Sequence, residues 1–208
     1  MSDSASRYPV PAGRHRVAQS IERSRFICTV QRIVTPETAQ SFLRELNAEF
    51  SDATHHCWAY VAGPPGSTSR VGMSDAGEPH GTAGRPMLTV LLHSGVGEIA
   101  AVVTRYFGGT KLGTGGLVKA YSGMVQLALD TLPRAERVDY IEVGITIGYP
   151  GIAAIQQLLP LHEAELLERE YGASVRYRLR MPRPNVEAFR VAVADATRGE
   201  TTVEEVVA

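Results

Sequence analysis

Hydrophobic and polar positions in the first part of the chain follow two spacings, one typical of strands and one typical of helices. Period-two or continuous apolar runs predict strands over residues 14–17, 24–34, 54–62 and 98–106. Helical spacing predicts two longer helices, over 36–50 and 115–132, and 87–92 begins a short helix or buried segment. Thr35 is a typical N-cap and Pro36 suits the first helical position. Residues 63–86 are rich in glycine and proline, which predicts a long loop.

Beyond Arg134 the pattern restarts. Alternating apolar residues predict a strand over 141–147, and Gly148 to Gly151 precede a helix over 152–159. Two strands meeting near Gly172, a helix over 185–197 and a strand over 203–207 complete the order βαββαβ, which is ferredoxin-like. We therefore expect an α+β protein with two domains, residues 1–135 and 138–208.

One strand of the second domain alternates apolar and basic residues. Val175, Tyr177, Leu179 and Met181 are expected to face the helices, and Arg176, Arg178 and Arg180 to occupy the open face of the sheet. The arginines could contact RNA phosphates, but pairing with nearby acids is the favoured interpretation. The candidate acids are Glu163, Glu165, Glu168 and Glu170.

Composition narrows the class of protein. Hydrophobic residues are 44% and charged residues 21% of the 208, which is ordinary globular usage. The polar residues 1–16 contain no apolar leader, and no run is long enough to cross a membrane, so we expect a loose start, no export and no membrane. Two cysteines imply no disulfide framework, which favours the reducing cytoplasm.

The net charge of −1 conceals an asymmetry between the two halves. Residues 1–137 carry 14 Lys+Arg and 11 Asp+Glu, a balance of +3, and the remainder carries 7 and 11, a balance of −4. A basic first domain favours an anionic ligand there, although ordinary scatter of surface charge explains so small an excess equally well.

The most unusual segment, 105–119, joins the end of a buried strand to the start of a helix. Its glycines allow backbone N–H groups to approach an anion, with cations on either side. It is not a P-loop, because Leu112 follows Lys111, and the alternative is that the glycines only permit a tight turn and close packing. The candidate ligand-binding residues are Arg105, Gly108, Gly109, Lys111, Gly113, Gly115, Gly116 and Lys119.

A second polar segment, 74–86, carries two carboxylates, Asp75 and Glu78. Such a pair could hold a metal or act as acid and base. Equally, Asp75 could accept backbone hydrogen bonds in a turn while Glu78 pairs with Arg85. All three residues are candidates for ligand binding.

A third segment, 55–60, places His55 and Cys57 on one strand face and His56 on the other. Zinc needs three or four ligands, and no second His/Cys pair lies at ligand spacing, so we predict no metal site. A Cys–His nucleophile is disfavoured, because a buried cysteine usually packs as a small hydrophobe. His55 is retained as a ligand-binding candidate. We expect Arg105, Lys111 and the 113–116 backbone to form one concave anion site beside His55 and Glu78.

In this order the segments resemble the YigZ/IMPACT family. The matching residues are Arg23-Ser24-Arg25-Phe26-Ile27 and the ranges 53–60, 74–86 and 105–121. The match covers about residues 14–133, and the remainder resembles the small C-terminal domain of the bacterial branch. The sequence departs from the family at Ala76, where most members have a second aspartate, and this weakens a two-carboxylate metal site.

The resemblance implies a first domain similar to the second domain of a small-subunit ribosomal protein. It implies a second domain similar to the C-terminal domain of elongation factor G. Both similarities point to translation. The eukaryotic relatives are linked to translational control through an amino-acid-starvation kinase pathway, but they lack the second domain, so their partner is not transferred to this chain.

Three functions compete on these grounds. The favoured one is a non-catalytic regulator linked to translation that binds RNA or the ribosome, with no catalytic residue, cofactor or metal assigned. The alternatives are an enzyme acting on an anionic or peptide-like molecule, and a protein-binding module. The sequence does not specify the oligomeric state.

Overall fold

A computed structural model describes residues 7–206 as two compact units, divided between Arg137 and Val138. The first unit contains β1 (Arg7–Pro11), β2 (His15–Ile21), β3 (Ser24–Arg32), α1 (Pro36–Glu49), β4 (His55–Val61), β5 (Val71–Ser74), α2 (Gly84–His93), β6 (Ile99–Tyr106), α3 (Gly113–Asp130) and all but the last residue of β7 (Arg134–Val138). The predicted loose start falls partly on residues 1–6, which lie outside the described range.

The first unit is built on a five-stranded antiparallel sheet in the order β2-β3-β6-β4-β5. Phe26 pairs with Arg105 on the neighbouring strand, and Arg105 pairs in turn with His55. Opposed residues share a sheet face, so this register sets Arg105 between Phe26 and His55.

Helices cover both faces of this sheet. Helices α2 and α3 bury one face, which includes Cys57, and Tyr121 of α3 packs into the same core. Helix α1 covers the other face, which includes Tyr60. Helix α1 begins where the sequence predicts, because Thr35 caps it: the Thr38 N–H donates to Thr35 Oγ1 at 3.3 Å, and Thr38 Oγ1 accepts from the Thr35 N–H at 3.1 Å.

Three short strands depart from the predictions. Strand β1 lies in the segment expected to be loose, β5 lies in the expected long loop, and β7 follows the second long helix. Among the described residues, strands β1 and β7 form a separate two-stranded sheet, and β5 pairs with the edge of β4. Strands of four or five residues carry too little periodicity to predict, and distant pairing partners stabilise them.

The second unit has the βαββαβ order that the sequence predicts. Its elements are β8 (Tyr140–Ile147), α4 (Ile152–Leu161), β9 (Glu165–Tyr171), β10 (Val175–Pro182), α5 (Val186–Ala196) and β11 (Val203–Glu205). They form an antiparallel sheet in the order β11-β8-β10-β9, with α4 and α5 contributing to its buried core. Val207, the end of the predicted last strand, lies outside the described residues.

On β10 the apolar residues are buried and the arginines exposed, as the alternation predicts. Arg176 pairs with Glu170 at 3.3 Å, and Arg178 pairs with Glu168 at 3.3 Å and with Glu142 at 3.2 Å. Arg180 reaches Glu165 at 4.0 Å. The arginine row is therefore largely compensated by its neighbours, and Glu142 is a partner that the sequence did not indicate. No helix within residues 7–206 is both long enough and apolar enough to cross a membrane.

Candidate functional site

A cavity of about 370 Å³ lies where β6 leads into α3. Its wall includes His55, Glu78, Arg105, Phe107, Lys111 and Gly113. Strand register brings His55 beside Arg105, and the turn after β5 brings Glu78 to them. The three sequence segments thus meet at one cavity, although their residues contribute to it in different ways.

A buried ion pair forms one side of this cavity. Arg105 Nη1 donates to Glu78 Oε1 at 2.5 Å, and the two side chains are only 5% and 4% exposed. The Tyr121 hydroxyl donates to the same Oε1 at 2.8 Å, and Arg105 Nη2 donates to Ser24 Oγ at 3.2 Å. Arg105 was expected to hold an anion, but Glu78 already compensates its charge. Its role is to anchor Glu78 in the wall.

Two aromatic rings flank the Arg105 guanidinium. Its central carbon lies 5.2 Å from the centre of the Phe26 ring and 5.6 Å from that of Phe107. Phe26 is fully buried, whereas Phe107 keeps 47% of its surface exposed. Arg105 Nε is buried and has no hydrogen-bond partner among residues 7–206. The ring contacts and the hydrogen bonds to Glu78 and Ser24 hold the guanidinium in place.

Hydrogen-bond acceptors remain open in the wall. Glu78 Oε1 accepts two hydrogen bonds, while Oε2 receives none from residues 7–206. His55 Nδ1 lies 2.9 Å from the Ala76 carbonyl oxygen. A carbonyl only accepts, so Nδ1 carries the proton and Nε2 of the neutral ring is an acceptor. The wall therefore offers two acceptors to a ligand.

Cys57 lies beneath this wall and is not a nucleophile there. Burial raises the pKa of its thiol to about 12, and the thiol donates to the Asp75 carbonyl at 2.9 Å. The protonated thiol is a poor nucleophile. Burial likewise raises the pKa of Tyr121, with further increases from its neighbours Cys57 and Glu78, so its hydroxyl stays a donor.

Asp75 stabilises the loop and does not line the cavity. Oδ2 accepts from the Gly81 N–H at 2.8 Å, and Oδ1 accepts from the N–H groups of Ala83 at 3.0 Å and Gly84 at 2.8 Å. Burial raises the pKa of this carboxyl, but the three N–H donors outweigh that effect and the net pKa is lowered. Asp75 thus has the backbone-binding role that was one of its two predicted roles.

Glu78 pairs with Arg105 and not with Arg85, so that alternative pairing is wrong. Arg85 lies in a separate depression with Val118 and Ser122. Lys119 is exposed on α3 and does not line the cavity. The structure does not bring these two cations to the site. Within residues 7–206 no three His, Cys, Asp or Glu side chains are grouped to hold a metal ion.

The glycines of segment 105–119 serve different purposes. A Cβ on Gly108 would lie 1.9 Å from the Arg23 carbonyl oxygen, so Gly108 permits close packing of the loop on the β2–β3 turn. Gly109 and Gly113 adopt φ of 86° and 70°, which glycine favours. Gly115 and Gly116 lie within α3 and do not line the cavity. Only Gly113 of these glycines reaches the wall.

Exposed cations near this end of the sheet lack ion pairs. Arg23, Arg25 and Lys111 are exposed and form no ion pair with any residue in the described range. By contrast, Arg14 pairs with Glu45 and Arg16 pairs with Glu49. The uncompensated positive charge of these five cations therefore lies with Arg23, Arg25 and Lys111.

Sequence reasoning missed three residues of the site. Phe107, Tyr121 and Ser24 lie inside the matching motifs, but nothing in their spacing indicates contact with Arg105 or Glu78. An aromatic residue directly after a buried strand and next to glycines is the one signal that could have marked Phe107.

Comparisons with known protein families match a domain to each of the two units. The Impact N-terminal domain matches residues 22–129, and the Domain of unknown function (DUF1949) matches residues 145–200. The chain is 43% identical to IMPACT family member YigZ of Escherichia coli (strain K12), covering 91% of this chain and 93% of that protein. It is 36% identical to IMPACT family member YvyE of Bacillus subtilis (strain 168), covering 93% and 88%.

A solved structure described as the crystal structure of an hypothetical protein is 40% identical to this chain. It aligns with a TM-score of 0.66 over 97% of this chain and 98% of its own. The two-unit α+β fold is therefore shared with an experimentally determined structure.

Proposed function

Because the chain belongs to the IMPACT family, we propose that it is a non-catalytic regulator linked to translation that binds RNA, free or in the ribosome, through its first unit. The observation that carries the proposal is a group of cations without ion pairs to residues 7–206, located at the end of the sheet that also carries an exposed aromatic ring. Arg23, Arg25 and Lys111 supply positive charge, and Phe107 supplies a surface on which a base can stack.

Backbone contacts hold these residues at one end of the sheet. The loop at Gly108 packs on the Arg23 backbone, and the Gly108 N–H donates to Ser24 Oγ at 3.2 Å. Arg25 is the cross-strand partner of Tyr106, which directly precedes Phe107. Cations beside an exposed aromatic ring are the combination that single-stranded nucleic-acid sites use.

Other arginines of the unit support the choice of this surface. Arg14 and Arg16 are bound to glutamates at 2.5 Å and 2.6 Å, so binding a phosphate there would first require breaking an ion pair. No such cost applies at Arg23, Arg25 or Lys111. The second unit offers mainly compensated arginines, so we assign it a minor part in binding.

One observation favours the enzyme alternative, which we keep as a second candidate. His55 has a fixed tautomer with Nε2 open to act as a base, and it shares a cavity with the buried carboxylate of Glu78. A base needs to lie within hydrogen-bond reach of the proton that it removes. A substrate with an acidic N–H or O–H would meet that requirement here.

Fluorescence anisotropy of a labelled 12-nucleotide RNA tests the binding function. Replacing Arg23, Arg25 and Lys111 together by alanine should weaken binding. It should also reduce the slope of log K against log salt concentration by about 2, since each phosphate contact to a single strand contributes about 0.7 to that slope. The matched control replaces Arg14, Arg16 and Arg44, which removes the same charge from the region of α1. Absence of binding by the unaltered protein, or equal losses in both triple variants, would contradict the proposal.

A further inference from the structure

Two acceptors belong to residues of the cavity wall and receive no hydrogen bond from residues 7–206. They are Glu78 Oε2 and His55 Nε2, whereas Lys111 and Thr114 supply donors elsewhere in the same wall. Glu78 Oε2 is not one of the buried side-chain atoms that lack a partner in the described range, so water reaches it although the side chain is only 4% exposed. A ligand with an N–H group can replace that water and donate to this acceptor.

An apolar surface stands beside these acceptors. Phe107, Leu112 and Leu117 contribute to the same wall, and Phe107 is 47% exposed. Lys111 adds one exposed cation. A flat aromatic ligand with an N–H edge and a nearby negative charge would satisfy all three parts of this wall.

The size of the cavity fits such a ligand. Its volume of about 370 Å³ falls at the lower end of small-molecule sites, which range from about 300 to 1,000 Å³. That room accommodates one base with its sugar and not a duplex. Its position, between the Phe107 ring and the unpaired Lys111, lies on the surface already proposed to contact the RNA backbone.

We propose that the cavity holds one unstacked nucleobase bearing an exocyclic amino group. The amino group donates to Glu78 Oε2, the ring stacks against Phe107, and Lys111 contacts the adjacent phosphate. This inference rests on the proposed RNA-binding function. The N4 amino group of cytosine can donate a hydrogen bond to a carboxylate. Uracil has a carbonyl oxygen at the same position, and the Glu78 carboxylate would repel that oxygen.

Cytosine and uracil have the same size, so oligo(C) and oligo(U) RNA of 12 nucleotides form a matched pair of probes. We expect the unaltered protein to bind oligo(C) about fivefold to tenfold more tightly than oligo(U). The salt slope should be equal for the two, because both carry the same phosphates. Glu78→Gln should bring the affinity ratio near one.

The fluorescence of Trp58 in urea would show whether Glu78→Gln folds. A second variant tests the site independently in case it does not. Phe107→Ala should weaken binding of both oligonucleotides about tenfold and leave their ratio unchanged, since stacking accepts any base. The matched control is Tyr149→Ala in the second unit, an aromatic residue 51% exposed, which should change neither affinity.

The outcomes separate this inference from the function on which it rests. Equal, salt-dependent binding of oligo(C) and oligo(U) by the unaltered protein would overturn the base site and leave RNA binding intact. No binding of either oligonucleotide would overturn both. A tighter complex with oligo(C) that Phe107→Ala does not weaken would also refute the placement of the base.

Discussion

Replacing Asp75 by asparagine removes a carboxylate that holds together the loop behind the cavity. The carboxylate accepts three backbone N–H groups at 2.8 Å, 3.0 Å and 2.8 Å. In the variant the amide oxygen can still accept the hydrogen bonds from the N–H groups of Ala83 and Gly84. The amide NH2 then faces the Gly81 N–H, and that hydrogen bond is lost because both groups are donors. The one lost hydrogen bond costs about 1 to 3 kcal/mol. The two that remain are weakened, because their acceptor is no longer charged. We expect the free energy of unfolding to fall by about 3 kcal/mol.

Urea unfolding followed by fluorescence measures this loss in the correct unit. The chain has one tryptophan, Trp58 on β4, so its emission reports on the first unit. Asp130→Asn is the matched control, because Asp130 is exposed and accepts from Gln126 at 2.7 Å. It should change the free energy by less than about 0.5 kcal/mol. A loss below that value for Asp75→Asn would refute the structural role.

The pH dependence gives an independent check on the same carboxyl. Its folded pKa is lower than the ordinary value of 3.8, so the ionised form stabilises the fold above that value. The stabilisation is lost as the pH falls through the folded pKa. The difference in unfolding free energy between the unaltered protein and Asp75→Asn should therefore be largest near neutral pH and shrink below about pH 4. A difference independent of pH would show that the charge is not responsible.

Three further substitutions test other features. Ala76→Asn should stabilise the first unit by about 0.5 to 1 kcal/mol in the same urea assay. Ala76 (φ 45°) and Gly77 (φ 88°) are the central residues of a type I′ turn, which favours Asn-Gly. An unchanged free energy of unfolding would contradict this. Gly108→Ala should destabilise it by about 2 kcal/mol or more, since the new Cβ would overlap the Arg23 carbonyl, and full stability would show that the loop can move. Arg178→Ala should lower stability by less than about 1 kcal/mol in thermal unfolding by circular dichroism and alter RNA affinity less than about twofold, because Arg178 is exposed and already paired; a larger loss of affinity would move the binding surface to the second unit.

The turn at Ala76 also accounts for the residue that the family resemblance leads us to expect at this position. Most relatives are expected to carry aspartate there, which suggests a carboxylate pair with Asp75. In the structure Asp75 binds backbone N–H groups, and residue 76 has a left-handed conformation that aspartate tolerates better than alanine. The second aspartate is therefore explained by the turn and does not require a metal.

Local patterns determined most of the secondary structure from the sequence alone. The Thr35 cap, the period-two alternation of β10 and the helical spacing of α1 and α3 each involve residues within one element. Their physical causes, capping of N–H groups and burial of one face, act over a few residues. The βαββαβ order of the second unit follows from such elements read in sequence.

Tertiary structure alone decided which distant groups meet. Glu78 could have paired with Arg85, which is only seven positions away in the sequence. It pairs instead with Arg105, which strand register places next to His55 at the cavity. The same holds for β1 and β7, which are too short to be recognised separately and are stabilised by each other. Register and burial depend on the packing of the whole unit, whereas periodicity records only which face of an element is apolar.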